Sequence, residues 1–416
     1  MIMEKNINLK KDYIWNFAGS IAFAAMYPLL TIAISNILDS SKSGLFSVGF
    51  VTAQLFMILG NYAVRVFQVS DLEEKFSYVE YVVCRLITCV VMLISNTIFC
   101  LVRSYDKEVF ALFTVLCACK MVDAFSDVFE ARLQQKGYLY KAGQALFFRT
   151  VAGLFVFLVF LYFSKQLLAA SVGMLCVDAI CMIIFAIIPA NKFSEKAYVF
   201  KWVNVIEVLK QCFPMFVSLF LFTFIINSPK YALEDHMAYS YQTIFNALYF
   251  PAQVIYLLTG FIFKPLIVSM TDMRNNKNKE LLKFSNKIIV SIFALTIIGC
   301  VAIIMPGIPI LEFLYDISLN GYEKMAVAMM INGGIIAVIN YFYHVLVILR
   351  KQMIASVIYV IVFLLSVIVP DIMIKQMHMW GCVLSYLVVL ICLALPILVI
   401  GYMHMANEKE EKTHSL

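Results

Sequence analysis

The chain is a succession of long apolar runs separated by short polar segments. Twelve runs can be drawn, at roughly 13–37, 44–69, 79–102, 108–131, 139–163, 166–189, 211–229, 240–264, 285–305, 324–349, 352–370 and 379–403. A helix needs about 20 predominantly apolar residues to cross a bilayer core, with about 17 as the lower end, so every run is long enough. The pattern predicts an all-α integral membrane protein with twelve transmembrane helices. The longest segments between runs are 190–210 and 265–284. The first divides the chain into an N-terminal six-helix lobe (1–189), a linker (190–210), a C-terminal six-helix lobe (211–403) and a tail (404–416). Six crossings return the chain to the same face, so two such lobes would be parallel repeats related by a pseudo-two-fold axis along the membrane normal. Leu45-Phe46-Ser47-Val48 at the start of the second run is faintly echoed by Ala238-Tyr239-Ser240-Tyr241 at the eighth. The linker sets Phe193, Tyr198, Trp202, Val205, Ile206 and Leu209 among Lys192, Lys196, Lys201 and Lys210, the composition of an amphipathic helix lying in the interface.

Composition sharpens the class. Of 416 residues, 63% are hydrophobic and 14% charged, with a mean hydropathy of +0.89. Soluble proteins carry about 25% charged residues. These values exclude a soluble globular enzyme, a disordered chain and a nucleic-acid binder. Net charge is +6. Counting Lys141, Lys264, Lys287 and Lys324 at the span ends with the adjoining loops, 21 Lys and Arg fall on the side of the N-terminus and 7 on the other. The positive-inside rule then places both termini in the cytoplasm. The far-side loops, such as 103–107 and 164–165, are little more than turns, which argues against enzymes that work in a large external loop. The segment from Tyr13 to Leu38 reads as a first anchor rather than a cleavable signal. The 11 Cys lie in apolar runs without a CxxC, as small apolar fillers. His236, His344, His378, His404 and His414 show no metal-ligand spacing. No cofactor or metal is expected.

Charge within the spans is the most informative feature. Arg, Lys or Asp at the centre of a membrane helix costs about 2.5–3.5 kcal/mol on insertion scales. The first half nevertheless holds Arg65, Arg85, Lys120, Asp123, Asp127, Arg149 and Asp178 within its spans, while the last four spans hold no charge well inside them. Lys120, Asp123 and Asp127 are spaced i, i+3, i+7 and share one helix face; Asn61, Arg65 and Gln68 repeat the pattern. Internal ion pairs, Lys120 with Asp123 and Arg149 with Asp127 or Asp178, are one reading. Four bases against these three acids favour another, a cationic cavity open to the cytoplasm, and Arg suits bidentate binding of phosphate. Asp123, Asp127 and Asp178 are candidates for binding a coupling H⁺ or Na⁺. Pro28 and Pro251, central in their spans, are candidate hinges.

Over its whole length the chain resembles the polysaccharide transporters of the multidrug/oligosaccharidyl-lipid/polysaccharide exporter superfamily, the Wzx-type flippases. The stretches that carry this are Asn16-Phe17-Ala18-Gly19-Ser20, Ser43-Gly44-Leu45-Phe46-Ser47, Asn61-Tyr62-Ala63-Val64-Arg65 running to Ser70-Asp71, and Asn227-Ser228-Pro229-Lys230-Tyr231. The continuation Ala232-Leu233-Glu234-Asp235 departs from the family's pattern. The resemblance implies a flippase that moves undecaprenyl-pyrophosphate-linked repeat units of O-antigen, capsule or exopolysaccharide from the inner to the outer leaflet of the bacterial cytoplasmic membrane by alternating access. Its partners would be the lipid-linked oligosaccharide, membrane lipids, a polysaccharide polymerase and other assembly proteins. Arg65, Arg85, Lys120 and Arg149 would then contact pyrophosphate or anionic sugar, and Asn61, Asn227, Pro229, Lys230 and Tyr231 would form motif or gate positions. The alternative within the superfamily is a drug/cation antiporter, which would favour acids and aromatics over a basic excess. A membrane enzyme acting on lipid-linked glycans is the least supported reading.

Overall fold

The structure, a computed structural model, describes residues 2–71, 73–193, 200–263, 270, 273, 278–349 and 351–413; within these, the side chains of 2–9, 260–263, 278, 279, 352 and 406–413 are left aside. All the described secondary structure is helical. The first eight helices are α1 (Ile2–Ile37), α2 (Ser40–Asn61), α3 (Val64–Ser70), α4 (Tyr78–Val102), α5 (Lys107–Gln135), α6 (Leu139–Ser164), α7 (Leu167–Cys181) and α8 (Ile188–Asn191), with a π-helical turn Met182–Ile187 before α8. They are followed by α9 (Trp202–His236), α10 (Tyr239–Phe263), α11 (Asn278–Ala302), α12 (Ile308–Tyr315), α13 (Glu323–Ile348) and α14 (Gln352–Thr413), with a second π-helical turn Ile303–Gly307 before α12.

Helix starts are set by side chains that satisfy orphan backbone N–H groups. Asp39 accepts from the Lys42 amide at 2.8 Å at the start of α2, and Asp106 accepts from Val109 at 2.8 Å at the start of α5. Ser77 and Glu80 form a reciprocal capping box on α4.

Ten helices are long and apolar enough to cross a membrane among the described residues. The protein is a multi-pass membrane protein. Twelve spans were expected, and two of them are not counted separately among the described residues. The stretch Met353–Met405 counts once, although its 53 residues reach about 80 Å at 1.5 Å per residue, more than twice the bilayer core. Its backbone breaks at His378, with φ 52° and ψ −128°. Helix α10 is not among the ten; its apolar end, 260–263, lies outside the residues whose side chains are described. Residues 202–210, expected in a separate linker helix, are the first turns of the continuous α9. Lys196 and Tyr198 of that linker lie outside the described residues, as do most of 265–284 and residues 414–416 of the tail.

The chain forms two compact units, Met1–Phe220 and Leu221–Leu416, with the boundary inside α9. In the first, α1 packs on α6 and α2, α6 on α7, and α5 against α2, α4, α6 and α7. Close approach is bought with small residues, as membrane helices require. A Cβ at Gly143 would lie 2.5 Å from the Trp15 backbone, so α6 meets α1 almost backbone to backbone. At one end, Arg132 donates to the Phe193 carbonyl at 2.7 Å, Gln135 to the Asp71 carbonyl at 2.6 Å, and Asn204 to Glu80 at 2.9 Å. These bonds tie the end of α5 to the turn before α4 and to the residues just after α8, and the start of α9 to the first turn of α4. In the second unit α13 packs on α10, α11 and α14, and Asn332 on α13 donates to the Val383 carbonyl at 3.3 Å.

Candidate functional site

The charged core of the first unit is built on one face of α5. Lys120, Asp123, Asp127, Glu130 and Gln134 recur at i, i+3, i+7, i+10 and i+14, so a single polar stripe runs along the helix. Its neighbours α3, α4 and α6 each turn one Arg onto that stripe. Arg65 on α3 donates to Asp127 at 2.7 Å and to Gln134 at 3.0 Å, and lies 3.4 Å from Glu130. Arg85 on α4 reaches the other oxygen of Asp127 at 2.7 Å and also bonds the Gly60 carbonyl at 2.9 Å and Asn61 at 3.3 Å. Arg149 on α6 donates to Asp123 at 2.9 Å and to Glu130 at 2.8 Å. Lys120 bonds Asp123 at 2.8 Å, with its ammonium 4.6 Å from the Phe50 ring centre and 5.0 Å from that of Phe23.

Burial separates these bases. The side chains of Arg85, Lys120 and Arg149 are 0%, 1% and 3% exposed, whereas that of Arg65 is 31% exposed. Their donors go largely to carboxylates and carbonyls of the protein. Glu130 narrows the basic excess expected from the sequence: with Asp123 and Asp127 it holds the four bases, so that each base meets at least one carboxylate. Lys120 and Asp123 pair as expected. Arg149 takes Asp123 and Glu130 rather than Asp127 or Asp178.

Asp178 on α7 stands apart from this pairing. It is 3% exposed, and its Oδ1 has no hydrogen-bond partner among the described residues. That oxygen lies over Gly153 of α6, where a Cβ would come within 2.4 Å of it. Glycine there makes the space that the carboxylate occupies.

The motif residues of the second unit form a different environment. Asn227 donates to the Thr223 carbonyl at 2.9 Å, and the Pro229 carbonyl lies 3.9 Å from Cys382 Sγ. Lys230 is buried, with its ammonium 5.7 Å and 5.9 Å from the ring centres of Tyr249 and Phe245, and its carbonyl accepts from Gln242 at 2.6 Å. Tyr231 stacks on Phe224 at 5.5 Å. A cavity of about 480 Å³ in this unit is lined by Tyr241, Tyr322, Trp380 and several Met, among them Met325 and Met379. Pro28 and Pro251 lie inside α1 and α10, and both helices run through them. Among the described residues no three His, Cys, Asp or Glu side chains gather as a metal cage.

Neither a family model nor a curated protein matches the sequence. Solved structures do. A transporter of the MOP superfamily from Pyrococcus furiosus, described as having a binding pocket of reversed polarity that suggests a different function, superposes with a TM-score of 0.62 at 14% identity, covering 97% of this chain and 96% of its own. An inward-facing multidrug resistance transporter of the MATE family gives 0.63 at 14% identity over 92% and 95% of the two chains. The chain has the fold of a MOP-superfamily transporter. A MATE transporter from Vibrio cholerae gives 0.63 at 11% identity over 97% and 98%. Those neighbours are transporters rather than enzymes, and the likeness extends over essentially the whole chain.

Proposed function

We propose that the protein is a secondary transporter of twelve transmembrane helices in two six-helix lobes, exporting an amphipathic organic solute in exchange for H⁺ or Na⁺ by alternating access. It would work in a bacterial cytoplasmic membrane with both termini in the cytoplasm, as the Lys and Arg distribution favours. One observation carries this reading: each base in the charged core of the first unit is paired with Asp123, Asp127 or Glu130, and the remaining acid, Asp178, has an unbonded buried oxygen. A cavity for a free anion needs accessible cations, and Arg85, Lys120 and Arg149 are buried and already bonded to protein carboxylates. An ionised carboxylate lacking a donor is costly in a low-dielectric core, and a bound proton or Na⁺ removes that cost. Asp178 is therefore the residue we assign to the coupling ion, with Asp123 and Asp127 holding the bases that surround it. The cavity in the second unit mixes aromatic and Met side chains with Asn320 and His378, a lining that suits an amphipathic cargo.

The reading is tested with purified protein in proteoliposomes. An imposed proton or Na⁺ gradient should drive uptake of a fluorescent organic cation, and Asp178→Asn should abolish the gradient dependence. Gradient-independent uptake by the wild type would contradict it.

A second reading, the flippase for undecaprenyl-pyrophosphate-linked repeat units, is favoured by Arg65. Its guanidinium stands at the edge of the network with its side chain 31% exposed, inside one of the stretches that resemble polysaccharide transporters. A pyrophosphate headgroup could compete there for the bidentate face. This reading expects lipid-linked repeat units to accumulate in the inner leaflet of a deletion strain, with a polymerase and other assembly proteins left without substrate. Normal glycan export in that strain would exclude it.

A further inference from the structure

The second apolar run is broken at Tyr62 and Ala63, which separate α2 from α3. Both residues have left-handed backbones, with φ of 44° and 56°, a conformation that side chains with a Cβ rarely adopt. On one side the break is held firmly. The Gly60 carbonyl, which a continuous helix would have bonded internally, accepts from Arg85 at 2.9 Å and from Thr88 at 2.7 Å. On the other side the Tyr62 ring stacks on Phe216 of α9, with centres 4.5 Å apart and planes at 16°.

Beside that stack lies a groove of about 280 Å³, lined by Tyr62, Ile206, Leu209, Lys210 and Phe213. The four α9 residues fall at i, i+3, i+4 and i+7, one continuous face of the helix. Ile206 and Phe213 are 52% and 53% exposed, and Trp202, one turn before Ile206 on the same face, is 61% exposed. A surface this apolar suits lipid, and the exposed Trp202 suits the interfacial end of the helix, toward which a long Lys side chain can reach. Lys210 places an ammonium in the middle of it. The neighbouring acid Glu207 takes the Gln211 amide at 2.6 Å.

We propose that this groove binds an anionic phospholipid of the cytoplasmic leaflet, with Lys210 and the Tyr62 hydroxyl on the headgroup phosphate and the acyl chains along Ile206, Leu209 and Phe213, and that the bound lipid sets the position of the Tyr62–Ala63 break. Charge complementarity selects this occupant. A zwitterionic lipid fills the apolar walls equally well but brings no net charge for the lysine. The binding half stands without the transporter reading; the regulatory half rests on it.

Native mass spectrometry of the full chain tests the binding half with phosphatidylglycerol, phosphatidylcholine, inorganic phosphate and undecaprenyl pyrophosphate as separate probes. Phosphatidylglycerol should bind about fivefold more tightly than phosphatidylcholine. Lys210→Gln should abolish that preference, and Tyr62→Phe should weaken it. Lys324→Gln, which removes an exposed lysine in the other unit, should leave it intact. Equal binding of the two phospholipids, an unaltered preference in Lys210→Gln, displacement by inorganic phosphate, or stronger binding of the pyrophosphate lipid would each overturn the assignment. In proteoliposomes, phosphatidylglycerol should raise the transport rate several-fold in the wild type and not in Lys210→Gln. Lipid binding with an unchanged rate overturns the regulatory half. Lipid binding without transport of any cargo overturns the transporter reading and leaves the lipid site standing.

Discussion

Charge cancellation is the main lesson at the scale of single residues. Arg149 holds Asp123 and Glu130 together, and Arg65 reaches from Asp127 towards Glu130, so removing one member strands another in an apolar core. Glu130→Gln and Arg149→Gln should each destabilise the solubilised protein by about 3–5 kcal/mol. The double variant should fall short of the sum by about 0.5–3 kcal/mol, read as thermal unfolding in detergent. Strict additivity would show that the two side chains are not coupled. Asp178→Asn makes the opposite case. Its Oδ1 has no hydrogen-bond partner among the described residues, so stability should change by less than about 1 kcal/mol while gradient-driven transport is lost. Much of this site was legible. The i, i+3, i+7 spacing of Lys120, Asp123 and Asp127 identified the polar face of α5, and the cost of intramembrane charge singled out Arg65, Arg85 and Arg149. Glu130 was missed because it lies one residue from the end of its apolar run and reads as an interfacial charge. Continuing the same stripe to i+10 and i+14 would have found both Glu130 and Gln134.

Among helices, the breaks do not fall where the sequence placed its hinges. Proline supplied the expectation, yet α1 and α10 continue through Pro28 and Pro251. The chain instead breaks at Tyr62–Ala63 and at His378, where neither Gly nor Pro gives warning. The first break is tertiary in origin, since Arg85 and Thr88 from α4 capture the carbonyl that it exposes. Nothing local to residues 60–63 encodes that. Ala63→Gly should therefore stabilise the protein by up to about 1 kcal/mol, because relief of left-handed strain outweighs the entropy that glycine adds. A thermal midpoint lowered by the substitution would mean that the backbone there is unstrained. The apolar runs themselves translated well into helices. What the runs left unresolved was continuity: α9 absorbs the second half of the expected linker, and Met353–Met405 joins two expected spans across the kink at His378.

For the whole molecule, hydropathy was enough for the class, and similarity to solved transporters supplies the superfamily fold at 11–14% identity. Cargo is a matter of the site, because a shared fold hosts many functions. Orientation is a separate question that the Lys and Arg bias addresses. A reporter fused after Leu416 should be active only in the cytoplasm, and activity confined to the outside would reverse the orientation. The central claim is that Asp123, Asp127 and Glu130 hold the four bases and leave Asp178 to carry the coupling ion. The most direct measurement is uptake of an organic cation into proteoliposomes under an imposed proton or Na⁺ gradient, comparing wild type with Asp178→Asn. The expected result is gradient-driven uptake in the wild type and none above the no-gradient rate in the variant, with equal thermal stability. Equal gradient-driven uptake by both proteins would contradict it.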